Sequence, residues 1–248
     1  YYGRTKVIMK KLLVILFAII SAVNAFSQKT KEKKKYDLIS RAGDHLMLQI
    51  SRDSWSGAAD SVSSHIKGFS KGANIYLMID KPFKANPRFS AAFGIGVGTS
   101  SVGFKRMYVD IAAKTPVLPF EVQDTLSHFK KFKVTTAYLE IPVELRFATN
   151  PNTPNKTFKA AIGLKIGTLL SAHTKGKNFQ DNAGNTISSA IQKVSTKSYF
   201  NTTRLAATAR IGYGNFSLFG AYNITTMFKD GVAPDTKLLQ IGLTISGL

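Results

Sequence analysis

The sequence predicts an all-β fold, an eight-stranded antiparallel up-and-down transmembrane β-barrel, and three observations carry that expectation. First, the residues from Phe158 to Ala172 alternate. Phe158, Ala160, Ile162, Leu164, Ile166, Thr168, Leu170 and Ala172 form one face, and Lys159, Ala161, Gly163, Lys165, Gly167 and Ser171 lie on the other. Period-two alternation of this length describes a strand with one apolar and one small or charged face, longer than globular strands usually run. Second, the pattern recurs eight times, with long and short connections in turn, which is the signature of a membrane barrel. Third, each of the three short connections is flanked by aromatics on the apolar face: Phe83 and Phe89, Phe147 and Phe158, Tyr213 and Phe216. Aromatic side chains gather at membrane interfaces, so these six are expected to form the periplasmic girdle.

The elements follow in order. Residues 1–8 read as an upstream mis-start. Met9-Lys10-Lys11, the apolar run Leu12 to Ile20, and the small residues Ser21, Ala22 and Ala25 make a signal peptide over 9–27, cleaved before Phe26 or after Ser27. The apolar run falls short of the roughly 20 residues that span a bilayer as a helix. Residues 28–43 form a Lys-rich linker, and 44–248 the barrel. Strands are expected at His45 to Ser51, Gly72 to Asp80, Phe89 to Gly98, Thr136 to Phe147, Phe158 to Ala172, Arg204 to Tyr213, Phe216 to Thr225 and Leu238 to Ser246. Gly103 to Lys131 and Lys175 to Lys197 read as long loops, and Gly214-Asn215 as a tight hairpin. With short turns in the periplasm, both mature termini fall on the periplasmic side of the outer membrane.

An eight-stranded barrel has room inside for side chains and little else. Its inward set includes Asp80, Glu140, Glu144, Arg146, Lys165, Arg204 and Arg210, whose charges must pair to offset their desolvation. An internal network joining Glu140 and Glu144 to the arginines is therefore expected, as structural packing. Trp55, Phe69, Phe104, Tyr222 and Phe228 are candidates for the outer girdle.

The chain carries 34 basic and 14 acidic residues, a formal +20, and no cysteine. Disulfides, thiolate metal sites and a Cys-anchored lipid are thereby excluded. Lys31, Lys33, Lys34 and Lys35 could serve as a polybasic arm, but an exported chain without a nucleic-acid-binding motif points away from nucleic acid. Outer-membrane lipid headgroups, lipopolysaccharide phosphates or a protein partner are the expected company. No cofactor or metal is implied, because the histidines are scattered.

Gly68-Phe69-Ser70-Lys71-Gly72 matches the Gly-x-Ser-x-Gly nucleophile elbow in letters, but a strand follows it where the motif needs a helix. Gly94, Gly96 and Gly98 lack the spacing of a dinucleotide loop and read as small inward residues. His65, His128 and His173, with Ser64, Ser127 and Ser171 beside them, supply the ingredients of acyl transfer without a defensible triad.

Three segments resemble the PorT-like outer-membrane β-barrel family of Gram-negative bacteria: Ala25-Phe26-Ser27-Gln28, the strand Gly94 to Gly98, and Tyr138-Leu139-Glu140-Ile141-Pro142-Val143-Glu144-Leu145. The resemblance implies an outer-membrane barrel and, for some members, a part in protein secretion. The chain departs from the usual barrel ending, an aromatic residue, by closing on Gly247-Leu248. The expected role is structural or ligand- and partner-binding work through the outer loops. An accessory part in secretion and a lipid-modifying enzyme are the alternatives.

Overall fold

The computed structural model describes residues 46–124 and 127–246, so the expected mis-start, leader and linker lie outside the described residues. Among the described residues the strands are β1 (Leu46–Ser56), β2 (Ser70–Pro82), β3 (Phe89–Phe104), β4 (Met107–Val109), β5 (Phe120–Val122), β6 (His128–Ala148), β7 (Phe158–Gln180), β8 (Thr186–Ser195), β9 (Thr203–Tyr213), β10 (Phe216–Asn223) and β11 (Lys237–Ser246). A single helical turn, α1 (Asp60–Ser63), follows β1, and a 3-10 turn (Pro154–Lys156) precedes β7. No helix among the described residues is long and apolar enough to cross a membrane.

Eight strands close a ring in the order β1, β2, β3, β6, β7, β9, β10, β11, every neighbour antiparallel. The seam pairs β1 with β11 from Met47↔Ser246 to Ser56↔Lys237, so no edge is left in the ring. β4 and β5 form a separate small sheet, and β8 adds to the far end of β7.

The alternation places oil outside and polarity inside. Leu77 (62 %), Ile162 (64 %) and Ile241 (52 %) stand exposed on the wall, while Gln49, Asn74, Glu140, Gln240 and Thr244 are buried in the lumen. A continuous apolar belt of this kind cannot face water, and lipid is the solvent it suits. A soluble lipocalin-like barrel would invert both faces.

Four sequence expectations change. The face begun at Phe158 does not run through to Ala172, because the β6–β7 ladder slips between Ala137↔Ser171 and Tyr138↔Leu169. Leu170 is the extra residue of a β-bulge, which reverses the alternation beyond it: Leu169 and Ala172 are buried inside. The expected loop from Lys175 to Lys197 is instead a hairpin, β7 running on to Gln180 and turning through Gly184 (φ 91°) into β8. The expected loop from Gly103 to Lys131 contains the β4–β5 hairpin and the first residues of β6. β1 and β3 also run past their expected ends, to Ser56 and Phe104.

Pro142 sits inward in the middle of β6, a position where its missing N–H removes a rung. The β3–β6 ladder accordingly jumps from Phe93↔Val143 to Gly96↔Glu140. Gly214 (φ 59°) makes the two-residue turn between β9 and β10, at the end where the other short turns lie. Neighbouring backbones press close at Gly242, where a Cβ would run into the Ile50 carbonyl oxygen.

Candidate functional site: a filled lumen beneath an outer cap

Glu140, Glu144 and Arg146 lie at even positions of β6, so the strand turns all three inward. Glu140 is fully buried and forms an ion pair with Arg204 (Nη1 to Oε1, 3.0 Å), with Lys165 Nζ 3.7 Å from Oε2. The Tyr76 hydroxyl donates to the same Oε2, and Lys165 Nζ donates to the Tyr76 oxygen at 3.3 Å. Four residues away, Glu144 Oε2 accepts from Arg146 Nε at 2.8 Å and from Arg210 Nη2 at 2.9 Å. Arg146 Nη1 also reaches Asp80 at 4.0 Å. The structure thus brings all seven expected lumen charges into two adjoining clusters.

Glycines make the space for these carboxylates. A Cβ on Gly98 would press on the Glu140 carboxylate, and one on Gly167 on its Cγ at 2.9 Å. Sequence reasoning missed the polar half of the network. Arg204 donates to Asn223 (2.9 Å) and Gln240 (3.2 Å), and Gln240 Nε2 in turn donates to both oxygens of buried Asp53 at 3.2 Å. The parity of Met47 and Gln49 on β1 would have placed Asp53 inside; the shorter strand expected there hid it.

The six aromatics of the expected girdle gather at the short-turn end. Phe89 pairs with Phe147, their ring centroids 5.1 Å apart, and Tyr213 is flanked by Phe158 and Phe216 on neighbouring strands. The Phe83 N–H donates to the Phe89 carbonyl across the first of these turns.

The other end is closed by an apolar layer. Trp55, Phe104, Phe132, Phe200 and Phe228 are buried together with Ile111 and Leu118 from the β4–β5 connection. Trp55 meets Phe104 edge-on at 5.3 Å and Phe228 at 5.6 Å. Three of the expected outer-girdle residues, Trp55, Phe104 and Phe228, therefore face inward. Trp55 and Phe104 share the inward parity of their strands, and Phe228 lies in a loop folded over the opening. Phe69 and Tyr222 are exposed. Backbone and side-chain bonds tie the loops into a lid: Leu118 N–H to Val232 O, Tyr199 Oη to the carbonyls of Ala113 (2.7 Å) and Thr115 (2.8 Å), and Asn201 Nδ2 to Phe228 O (2.7 Å).

Above the lid, β7 continues past β9, whose last partner in it is Thr168, and β8 takes the vacated edge from His173 onward. The β6–β7–β8 fin and the β4–β5 hairpin enclose a cleft of about 410 Å³ lined by Tyr108, Phe129, Phe179 and Gln192. Phe129 is in ring contact with both Tyr108 (6.4 Å) and Phe179 (5.1 Å). Partial burial first, then Asp110 and Glu121, raises the Tyr108 phenol above its ordinary pKa.

Ser64, His65 and Asp124 do come together on this end. His65 Nδ1 lies 3.1 Å from Ser64 Oγ and 2.8 Å from the Ser61 carbonyl, and Nε2 lies 3.4 Å from Asp124. Ser64 Oγ also lies 3.4 Å from the Ser61 carbonyl, so that carbonyl competes for both members of the pair and the serine is not committed to the imidazole as a nucleophile is to its base. His128 and His173 belong to β6 and β7, and no three histidines or carboxylates among the described residues converge as metal ligands. Ser70, the serine of the elbow-like stretch, opens β2 and donates to Lys67 O at 3.1 Å.

No curated protein matches the chain. The family model described as "Outer membrane protein beta-barrel domain" matches residues 26–228, most of the sequence, stopping short of β11. With the closed ring, the apolar wall and that match together, the chain belongs to the outer membrane protein β-barrel domain family.

Proposed function

We propose that this protein is a non-conducting outer-membrane barrel that works at the cell exterior, binding a ligand or protein partner through its cap. The observation that carries the reading is the double closure of the lumen, by the Glu140 and Glu144 clusters at mid-barrel and by the aromatic layer around Trp55 above them. The open surfaces lie on the cap: the cleft at Tyr108 and Phe129, and β8, which exposes Ile187 (60 %) and Ile191 (56 %). In the orientation that goes with this reading, the leader is removed and the short turns and both mature termini are periplasmic, as in barrels with short inner turns and long outer loops. Binding is favoured over catalysis because the Ser61 carbonyl lies against both Ser64 Oγ and His65 Nδ1, so the two side chains are not set apart as nucleophile and base.

Reconstitution of the purified chain in a planar bilayer tests the closure. The expected result is no stable conductance above the bare membrane; regular single-channel steps would contradict it. The likeness of the Tyr138 to Leu145 segment to PorT-like barrels favours a second reading, an accessory part in protein secretion. In that case removal of the barrel leaves secreted proteins in the periplasm.

A further inference from the structure

The outer wall changes character within two residues on each of four neighbouring strands. One cross-strand row is Leu48, Ile75, Val97 and Leu139, and the next is Ile50, Ala73, Thr99 and Ala137. The row after that begins Arg52, Lys71, Ser101 and Thr135, and beyond it come the lysines of β6 and β7. These cations are not scattered. Arg52 stands directly opposite Lys71, Lys133 opposite Lys175, and Lys131 opposite Lys177. Like charges directly opposite one another destabilise a sheet, and among the described residues none of the six forms an ion pair. They surround a groove of about 1050 Å³ that also takes in Lys67, Phe69 and the apolar residues Ile50 and Leu243. Lys71 Nζ lies 4.8 Å over the Phe69 ring. Burial, then Lys131 and Lys105, lowers the Lys67 pKa, as a local excess of positive charge does. The lumen balances its charges residue by residue, whereas this part of the wall leaves three cation pairs facing each other with no acid in the groove lining.

We propose that this groove binds a phosphorylated, multiply acylated glycolipid of the outer leaflet, its chains against the Ile50 and Leu243 side and its phosphates between the paired cations. An anionic headgroup spanning two strands turns each repulsive pair into a bridge, and the apolar rows beside it give acyl chains a surface that inorganic phosphate cannot use. The site rests on the orientation proposed above, which puts the long-loop end in the outer leaflet. Binding in detergent does not depend on that orientation, so the two claims fail separately.

The test uses the full chain purified in detergent at fixed ionic strength, with binding followed by native mass spectrometry and by melting of the folded form. The probes are a bis-phosphorylated hexa-acyl disaccharide lipid, its dephosphorylated counterpart and inorganic phosphate. The first is expected to bind and raise the melting temperature, and the others not. Replacing Lys131, Lys133, Lys175 and Lys177 by glutamine is expected to weaken binding roughly six-hundredfold, at about fivefold per charge. Without lipid that variant is expected to melt at least as high as the parent, because the repulsion is gone. A Lys175→Gln, Lys177→Gln double variant serves if the fourfold one does not fold. Equal binding of the dephosphorylated lipid, an equal rise with inorganic phosphate, or undiminished binding by the variants would overturn the proposal.

Discussion

Glu140→Gln is expected to destabilise the barrel by about 3–5 kcal/mol, the cost of leaving a buried charge without its counter-ion. Glutamine keeps the shape, so Gly98 and Gly167 still accommodate the side chain, and packing is not the variable. The charge is lost at a point where Arg204 approaches within 3.0 Å and Lys165 within 3.7 Å, all three side chains buried. Arg204 retains Asn223 and Gln240, whereas the Tyr76 hydroxyl is the one other group among the described residues to which Lys165 Nζ donates. Adding Lys165→Met to Glu140→Gln should therefore recover part of the loss. The measurement is the urea midpoint at which the fast-migrating folded form disappears from unheated gels. An unchanged midpoint for Glu140→Gln would show that the lumen is wetter than the ion-pair geometry requires.

Phe228→Ala is expected to open the cap while the barrel survives. Phe228 is 2 % exposed and touches Trp55 (5.6 Å), Phe120 (6.3 Å) and Phe200 (5.3 Å), so its removal leaves a cavity where three loops meet. Truncating a buried phenylalanine costs about 3–5 kcal/mol. Here the cost falls on the lid, whose bonds are loop contacts, more than on the ring, whose ladders are continuous. Trp55 is the chain's single tryptophan and sits in the layer, so its emission reports the lid directly. In the variant its red shift on denaturant titration should precede the loss of the folded gel band. Coincident transitions would mean that lid and barrel melt as one unit.

Much of the fold was legible because a strand's two faces are written in residue parity. Glu140, Glu144, Lys165 and Arg204 could be placed inside from their apolar neighbours alone, and pairing of some kind followed from the cost of burying them. Which carboxylate meets which cation was not legible, since it depends on register between strands distant in sequence. The bulge at Leu170 was hidden because one inserted residue leaves the local composition unchanged while reversing every position after it. Trp55 and Phe104 lie beyond the expected ends of their strands at Ser51 and Gly98, so the parity that turns them inward became legible only once β1 and β3 were seen to run on to Ser56 and Phe104. β8 hides among polar residues. Its traces are the Asp181 to Asn185 turn with Gly184 at positive φ, and the spaced Ile187 and Ile191. The cation pairs of the wall could not be read at all without the β6–β7 register, which sets Lys133 against Lys175.

The absence of cysteine permits a direct test of where the cap lies. Single cysteines are placed at Ser188 on β8 and at Lys84 in the turn after β2, both exposed, and intact cells are treated with a membrane-impermeant thiol reagent. The expected result is labelling of Ser188→Cys on intact cells and of Lys84→Cys only after the outer membrane is permeabilised. Labelling of Lys84→Cys alone on intact cells would reverse the barrel and remove the basis for a role at the cell exterior.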